Sequence, residues 1–529
     1  MALKKKGEQS SEDSKKRKRV GFAKIDAGIE ANECIKVFLV SKKDPLRFES
    51  VAIEQIFGIV GCVSESVKQS GTMMCFMQDK FDECFTVVSS AEEVGAENSL
   101  CVNPVDLNQF FDEEGKIYGF KDLKIKIWLS SISFLAYADI TFESTSDGGK
   151  GITDLKLKLQ NIFGESLLDN REEFLQSFTT ERDYVGCLES WASRSVVSSG
   201  EVICSETLNT HNDKPNTSDS GSYTIEVIRM ELRSMPIALL YSRLMPLAFL
   251  FIDGSSPIDI SDPRWEIYLV IKKMNYSGET NFRALGFATV YRFYRYPESW
   301  RLRISQILVL PPYQGQGHGR HLLESINTVS ISKNIYDVTA EEPSDYLKHV
   351  RDCVDTMRLL SFEPTTPALE PIVSQLKQTN LSKRISKFRL NPPSALIESA
   401  RDKLKINKKQ FLRCWDALIY LSLDQGDHKS MENYRNCVLD RMRADVLGKD
   451  VVGTAGKRLI EVPNNYDHEF TFVVFRSRAF EGSDGLEKAA NGEDQASQEE
   501  QFIRLVDERL KEIAGVASKV SMHRRSCAA

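Results

Sequence analysis

The chain has no CxxC pair among its eleven cysteines and no HExxH among its seven histidines. An odd cysteine count without paired spacing argues against a zinc knuckle and against a disulfide framework, and it fits a reduced compartment. The histidine pattern lacks the metalloprotease spacing, so no metal is expected. Long hydrophobic runs are missing as well: LYSRLMPLAFLFI, Leu240 to Ile252, is interrupted by Arg243 and Pro246, which excludes a membrane span there. The N-terminus, MALKKKGEQSSEDSKKRKRV, has no apolar core and is not a secretory leader. There is no internal repeat.

What is present is a long, mixed chain. Its 529 residues allow about three domains. With 41% hydrophobic and 27% charged residues it reads as globular, and the net charge of −6 sets its body against nucleic acid as main partner. The charge is uneven. Lys15 to Arg19 form a basic run on a polar arm spanning 1–28, which suits nuclear import and equally suits a solvated, disordered tail. ECIKVFLV alternates as a strand, KDLKIKIWLSSISFLAYADITF reads as two paired strands, and GITDLKLKLQNIFGESLLD returns to helical spacing. These make an N-terminal α/β domain over 29–204, followed by a polar, turn-rich linker over 205–222. A dense α/β block covers 223–375, and four helix-length segments predict a helical domain over 376–447. The extension 448–529 is expected to be partly disordered, ending in a charged helix that fits a docking helix, although most such charged faces are simply solvated.

Inside the α/β block, ILVLPPYQGQGHGRHLLESI places three glycines between a buried-strand pattern and a helix start. The prolines Pro311 and Pro312 end the strand. First-turn N–H groups lack intrahelical partners, and bare backbone lets a phosphate approach, so strand, glycine loop and helix together make an anion site. A glycine-rich tight turn without ligand fits the same residues. A P-loop needs Gly-Lys-Ser/Thr, but Gly319 is followed by Arg320 and His321. A Rossmann loop needs a third glycine where Arg320 stands, although Asp337 lies at a Rossmann-like distance downstream. The pyrophosphate loop of GCN5-related N-acetyltransferases, Gln/Arg-x-x-Gly-x-Gly, is met at Gln314, Gly317 and Gly319.

WEIYLVIKKM, GFATVYRFYRYP, RLRISQILVLPPYQGQGHGRHLLE and DVTAEEPS, in this order, resemble the catalytic subunits of type B histone acetyltransferases. ECIKVFLV, FFDEEGKIYGFKDLKI and INKKQ resemble them too, so the likeness runs from about residue 29 to 445, and the N-terminal arm looks plant-like. The resemblance implies an α/β fold of the GCN5-related N-acetyltransferase kind. That fold is a mixed, mainly antiparallel sheet flanked by helices, here with a substrate-clamping N-terminal α/β domain and a C-terminal helical domain. It implies acetyl transfer from acetyl-CoA, without a metal, to tail lysines of newly made histone H-4. It further implies a WD40 histone chaperone of the retinoblastoma-binding type as partner, no membrane, and a life in both nucleus and cytoplasm.

Acetyl transfer to lysine needs a base, because the free ammonium has a pKa of about 10.4. By resemblance Glu341 is that base and Glu342 its acidic neighbour. The thioester oxygen needs a backbone donor, which the resemblance places at Ile307, Leu308 or Val309. Gln314, Gly315, Gln316, Gly317, His318, Gly319 and Arg320 are expected to cradle the pyrophosphate, and Ser344 to touch the pantetheine arm. Tyr346 is the candidate for returning a proton to the thiolate. A basic tail calls for an acidic groove with aromatic walls. Asp112, Glu113, Glu114, Trp265, Tyr291, Arg292 and Phe293 match the family there, and Asp253, standing where relatives often carry glutamate, is a candidate to line the groove or assist the base. Two rivals remain: a non-catalytic histone escort that binds acetyl-CoA without turnover, and a Rossmann-type nucleotide-binding oxidoreductase.

Overall fold

A computed structural model describes residues 116–180, 200–209, 222–377, 390–447 and 490–528, with gaps of one or two residues, together with the strands at 29–30, 35–40 and 101–102 and part of 104–111. The basic arm, most of the Cys/Met-rich stretch near 62–102, and Asp112, Glu113 and Glu114 lie outside the described residues. Two compact units divide at Pro343/Ser344. The expected boundary at 375 is therefore corrected, because the helix that starts after Ser344 packs with the helices that follow it.

The first unit holds two larger sheets. The first is five-stranded, in the order β2-β1-β3-β4-β5. Its strands are β1 (Ile35–Val40), β2 (Cys101–Val102), β3 (Lys124–Ser130), β4 (Ala136–Thr141) and β5 (Leu167–Leu168). The predicted pair in KDLKIKIWLSSISFLAYADITF is the β3–β4 hairpin, in register from Lys124↔Thr141 to Leu129↔Ala136, with Phe134 at φ +60 in the turn. Helix α1 (Leu155–Phe163) starts where Asp154 accepts from the Leu157 N–H and stops at Gly164, φ +55. A second helix, α2 (Arg171–Thr180), buries Phe174 against Trp128 of β3.

The second sheet is six-stranded and carries the site. Its strands, in sheet order and chain order alike, are β6 (Glu201–Asn209), β7 (Ser222–Glu231), β8 (Trp265–Tyr276), β9 (Glu279–Arg295), β10 (Ser299–Val309) and β11 (Val338–Ala340). All pairs are antiparallel except β10–β11. A nucleotide-binding oxidoreductase of the doubly wound kind needs a mainly parallel sheet, so that rival falls. The expected linker is corrected too. Residues 205–209 belong to β6, whose polar, alternating side chains pair with β7 from Glu201↔Arg229 to Asn209↔Ser222. An edge strand tolerates such a polar sequence because only one side is laddered.

Helix α3 (Met235–Phe251) and helix α4 (His318–Ser332) cover opposite faces of this sheet. That is why β8 reads as an unbroken apolar run: Ile267, Tyr268, Leu269, Val270 and Ile271 are all buried. One ionic group lies under α4. Arg229 and Glu266, both almost fully buried, bond through two nitrogens and two oxygens. Burial favours the neutral acid, but the Arg229 guanidinium outweighs it and holds Glu266 below the usual carboxylate range.

The second unit is helical: α5 (Asp345–Leu360), α6 (Thr365–Leu376), α7 (Ser394–Leu404), α8 (Lys408–Ser422), α9 (His428–Leu447) and α10 (Ala490–Ala528). The four expected helices are all present. The charged terminal helix is not simply solvated, however. Ile513, Val516 and Val520 pack on Ala417 of α8 and on Cys353, Met357 and Leu360 of α5. Arg509 reaches the buried Asp416, which Arg441 also holds at 2.7 and 2.8 Å. This is the docking alternative, and a spacing of three and four between apolar residues hides easily among charges, which is why the solvated reading weighed more.

Candidate active site

The site begins where the one parallel pair comes apart. β11 follows β10 only through Leu302↔Val338, Arg303↔Thr339 and Ile304↔Ala340. One further bond, Glu341 N–H to the Ile304 carbonyl at 2.9 Å, closes the ladder, while β10 runs on through Val309. Among the described residues, the stretch from Ser305 to Val309 thus keeps β9 as its only strand partner in this sheet. A strand edge freed in this way offers backbone N–H and C=O groups to an extended ligand.

Side chains along this edge alternate. Ser305, Ile307 and Val309 are half-buried, whereas Gln306 and Leu308 point into the core. β9 presses closely on the same stretch at Gly286. A Cβ there would stand 2.5 Å from the Leu308 carbonyl oxygen and 2.8 Å from the Val309 Cα. Glycine is required at this contact by the approach of backbone to backbone.

After Leu310 a short turn, Pro311–Tyr313, leads into the glycine loop. Gly315 at φ +76 and Gly317 at φ +90 adopt left-handed conformations, and Gly317 caps α4 without any side-chain hydrogen bond. Cβ atoms added at either would meet nothing within 4 Å, so the loop borders open space. The first-turn amides of α4 have no carbonyl four residues back within the helix. Room beside the backbone at Gly315 and Gly317, their exposure and a helix N-terminus fit a pyrophosphate group. Gln314 supports the loop from within. Its Nε2 donates to the Val309 carbonyl at 2.9 Å and ties the loop to the end of β10.

The side chains of two loop residues have neighbours within the fold. His318 is buried, with its imidazole turned away from solvent, because the first helical turn packs it beside His321 at a ring separation of 6.1 Å. Burial first, then His321 and Lys272, push it down to about 4, so it is neutral and offers an anion only its backbone. Arg320 lies 3.7 Å from Glu324 one turn along α4.

Glu341 and Glu342 are both exposed just past the end of β11. Ser305 Oγ donates to Glu341 Oε2 at 2.9 Å, which sets this carboxylate against the freed edge of β10. Glu342, at φ +31, turns the chain towards Pro343. Ser344 and Tyr346 belong to the second unit. There Ser344 Oγ accepts from the Leu347 N–H and caps α5, and Tyr346 is exposed.

An aromatic ladder occupies the other part of the site. Trp265 and Tyr291 face each other in register with ring centroids 4.7 Å apart, and Phe293 follows Tyr291 at 4.6 Å. The guanidinium of Arg303 stacks over Phe293 at 4.3 Å and that of Arg264 over Tyr291 at 4.9 Å. Such faces suit cations and lysine stems. The Tyr291 hydroxyl donates to Asp262, and the Arg264 guanidinium beside that carboxyl holds it well below the usual range. Arg292, expected in this groove, is on the opposite face by strand alternation. Its Nε lies 3.5 Å from the buried Glu266, and it donates to the Pro263 carbonyl.

The N-terminal part, residues 83–253, matches the family described as histone acetyl transferase HAT1 N-terminus, and residues 248–344 match the acetyltransferase (GNAT) family. The chain is 46% identical to the histone acetyltransferase type B catalytic subunit of Zea mays, with 98% of this chain and 97% of that one covered. It is 43% identical to the Arabidopsis thaliana protein of the same description, with 96% of each covered. The Rattus norvegicus protein is 28% identical over 63% of this chain and 72% of its own. The chain belongs to the type B histone acetyltransferase catalytic subunits. It is an acyltransferase of the GNAT fold.

For a type B acetyltransferase, the structure unites most of the expected residues at one end of β10: Ile307 to Val309, the glycine loop and Glu341. Trp265, Tyr291 and Phe293 form one ladder on the α3 side. Asp253 is exposed at the start of the loop that follows α3. Sequence reading missed what holds that loop. Gln306, buried in β10, donates from Nε2 to Ser255 Oγ at 3.2 Å and to the Ser256 carbonyl at 2.9 Å. Its Oε1 accepts from Tyr241 of α3 at 3.1 Å and from Thr289 of β9 at 3.4 Å. A glutamine at an inward position of an apolar strand was the available signal, since such groups are buried only when fully bonded.

Proposed function

We propose that the chain transfers acetyl from acetyl-CoA directly to lysines in the N-terminal tail of newly synthesised histone H-4, with Glu341 as general base. The observation that carries this reading is the Ser305–Glu341 contact beside the freed edge of β10, four residues before the end of the strand that leads into the open glycine cradle. The edge amides of Ile307 to Val309 meet the thioester carbonyl and stabilise the charge that develops on its oxygen. Glycines and the α4 N-terminus hold the pyrophosphate, so the acetyl carbon is kept in register with the base. Glu341 takes the proton from the incoming ammonium, the neutral amine attacks the acetyl carbon to form the C–N bond, the C–S bond breaks, and the leaving thiolate takes up the proton that the nitrogen releases. Tyr291, Trp265 and Phe293 receive the lysine stem. A WD40 histone chaperone of the retinoblastoma-binding type is the proposed partner, and nucleus and cytoplasm are the proposed locations.

Labelled acetyl-CoA and an H-4 tail peptide test this with wild type and Glu341→Gln side by side across pH. Activity should fall by about a hundredfold or more in the variant while acetyl-CoA binding persists. Unchanged activity would remove Glu341 from the role. Cofactor binding without transfer in wild type would identify an escort instead.

A further inference from the structure

We propose that Gln306 is a positioning residue for the acceptor: its side-chain amide fixes the loop after α3 on β10 and so sets the wall against which the substrate peptide lies. The proposal rests on the acetyl-transfer reading above, because it assigns the peptide to the Trp265–Tyr291–Phe293 side. Three observations converge on it. Gln306 is buried, and both ends of its amide are used. The oxygen end is held by Tyr241 and Thr289, which are scaffold residues on α3 and β9. That fixes the amide's orientation and directs its N–H groups at Ser255 and Ser256, which stand between Asp253 and Asp262. Asp262 in turn holds the Tyr291 hydroxyl at 2.9 Å. The loop therefore has Gln306 near its start and Tyr291 near its end, and its placement decides where the aromatic ladder meets a peptide.

Gln306 also sits beside the irregularity that forms the base's support. The register with β9 passes from Thr289↔Gln306 to Val290↔Ile304 and leaves Ser305 without a Cα partner. This is the residue that bonds Glu341. Thr289 Oγ1 accepts from the Gln306 N–H at 3.1 Å and pins the backbone there.

Gln306→Glu keeps the oxygen for Tyr241 and Thr289 and removes the two N–H donors that hold the loop. Affinity for an H-4 tail peptide, measured by calorimetry with coenzyme A bound, should fall about tenfold, and acetyl-CoA affinity should stay within about twofold. Ser255→Ala, which loses one of the loop bonds, should weaken peptide binding in the same direction by about threefold. Peptide affinity unchanged in Gln306→Glu would overturn the proposal. So would an equal loss of peptide and acetyl-CoA affinity, since that marks general loosening of the fold. Because the readout is binding, absence of turnover in wild type would count against the catalytic reading alone.

Discussion

Replacing Gly286 by alanine should damage catalysis more than it damages the fold. The added methyl would lie 2.5 Å from the Leu308 oxygen, 2.8 Å from the Val309 Cα and 3.3 Å from the Leu308 carbonyl carbon. All three atoms are backbone, so no side chain can swing aside. An ordinary C···O contact is about 3.3 Å, and 3.3 less 2.5 leaves about 0.8 Å that the end of β10 must move. Overpacking of this kind costs about 1–3 kcal/mol, which in a unit of this size lowers Tm by roughly 2–12 °C. The displaced residues are those whose amides are proposed to serve the acetyl carbonyl, and a shift near 1 Å in such a group can cost about a hundredfold in rate. Gly315→Ala is the contrast: its Cβ meets nothing, and the strain comes only from φ +76, about 1–2 kcal/mol. Steady-state kinetics well below the melting range should show kcat/KM reduced at least tenfold in Gly286→Ala and much less in Gly315→Ala. A Gly286→Ala enzyme with Tm within about 1 °C and kcat/KM within about twofold of wild type would refute the rigid approach of β9 to β10.

His318 makes stability depend on pH. Its folded value of about 4 lies below the ordinary 6.5, so between these the unfolded chain binds a proton that the folded chain excludes. Stability is then complete above about pH 6.5 and falls as pH drops towards 4, by at most about 3 kcal/mol, and His318→Phe should flatten the Tm-versus-pH curve in that window. Ile513→Ala removes a buried side chain from the face of α10 against α8 and α5, and should destabilise the helical unit by about 2–5 kcal/mol, read as faster hydrogen exchange across 503–525. No change would restore the view of α10 as a solvated helix.

The sheet, its helices and the glycine loop were legible because each rests on local pattern. Alternation marks β3, a buried-strand pattern ended by two prolines marks β10, glycines mark the turn into α4, and helical spacing marks α1. What could not be read depends on which strands meet. Arg292 shares a segment with Tyr291 and Phe293, but strand alternation sends it to Glu266 under α4. Asp337 has the spacing of a ribose-binding acid, but the parallel pairing of β11 with β10 sets it against Arg301, which grips it at 2.6 and 3.0 Å. β6 resembles a linker until β7 gives its polar residues a ladder.

The same reasoning explains why the support of the proposed base was invisible in the sequence while the proposed base was not. Glu341 is exposed and lies in DVTAEEPS, one of the segments that carry the resemblance. Ser305 and Gln306 gain their meaning from a one-residue irregularity between β9 and β10, which no periodicity announces. That irregularity gives two neighbours different roles, Ser305 turned out to the carboxylate and Gln306 turned in to α3 and the following loop. A regular strand also turns neighbours to opposite faces, but it would pair Ser305 with a residue of β9 like every other; here Ser305 has no Cα partner while Gln306 keeps Thr289, so the support of the proposed base and the hold on the loop after α3 come from one point of β10. Moving the irregularity by one residue should therefore uncouple the two. An alanine inserted after Ser305 is expected to keep acetyl-CoA binding at the α4 end within about threefold while abolishing transfer, and retention of transfer would show that the support is not fixed by strand register.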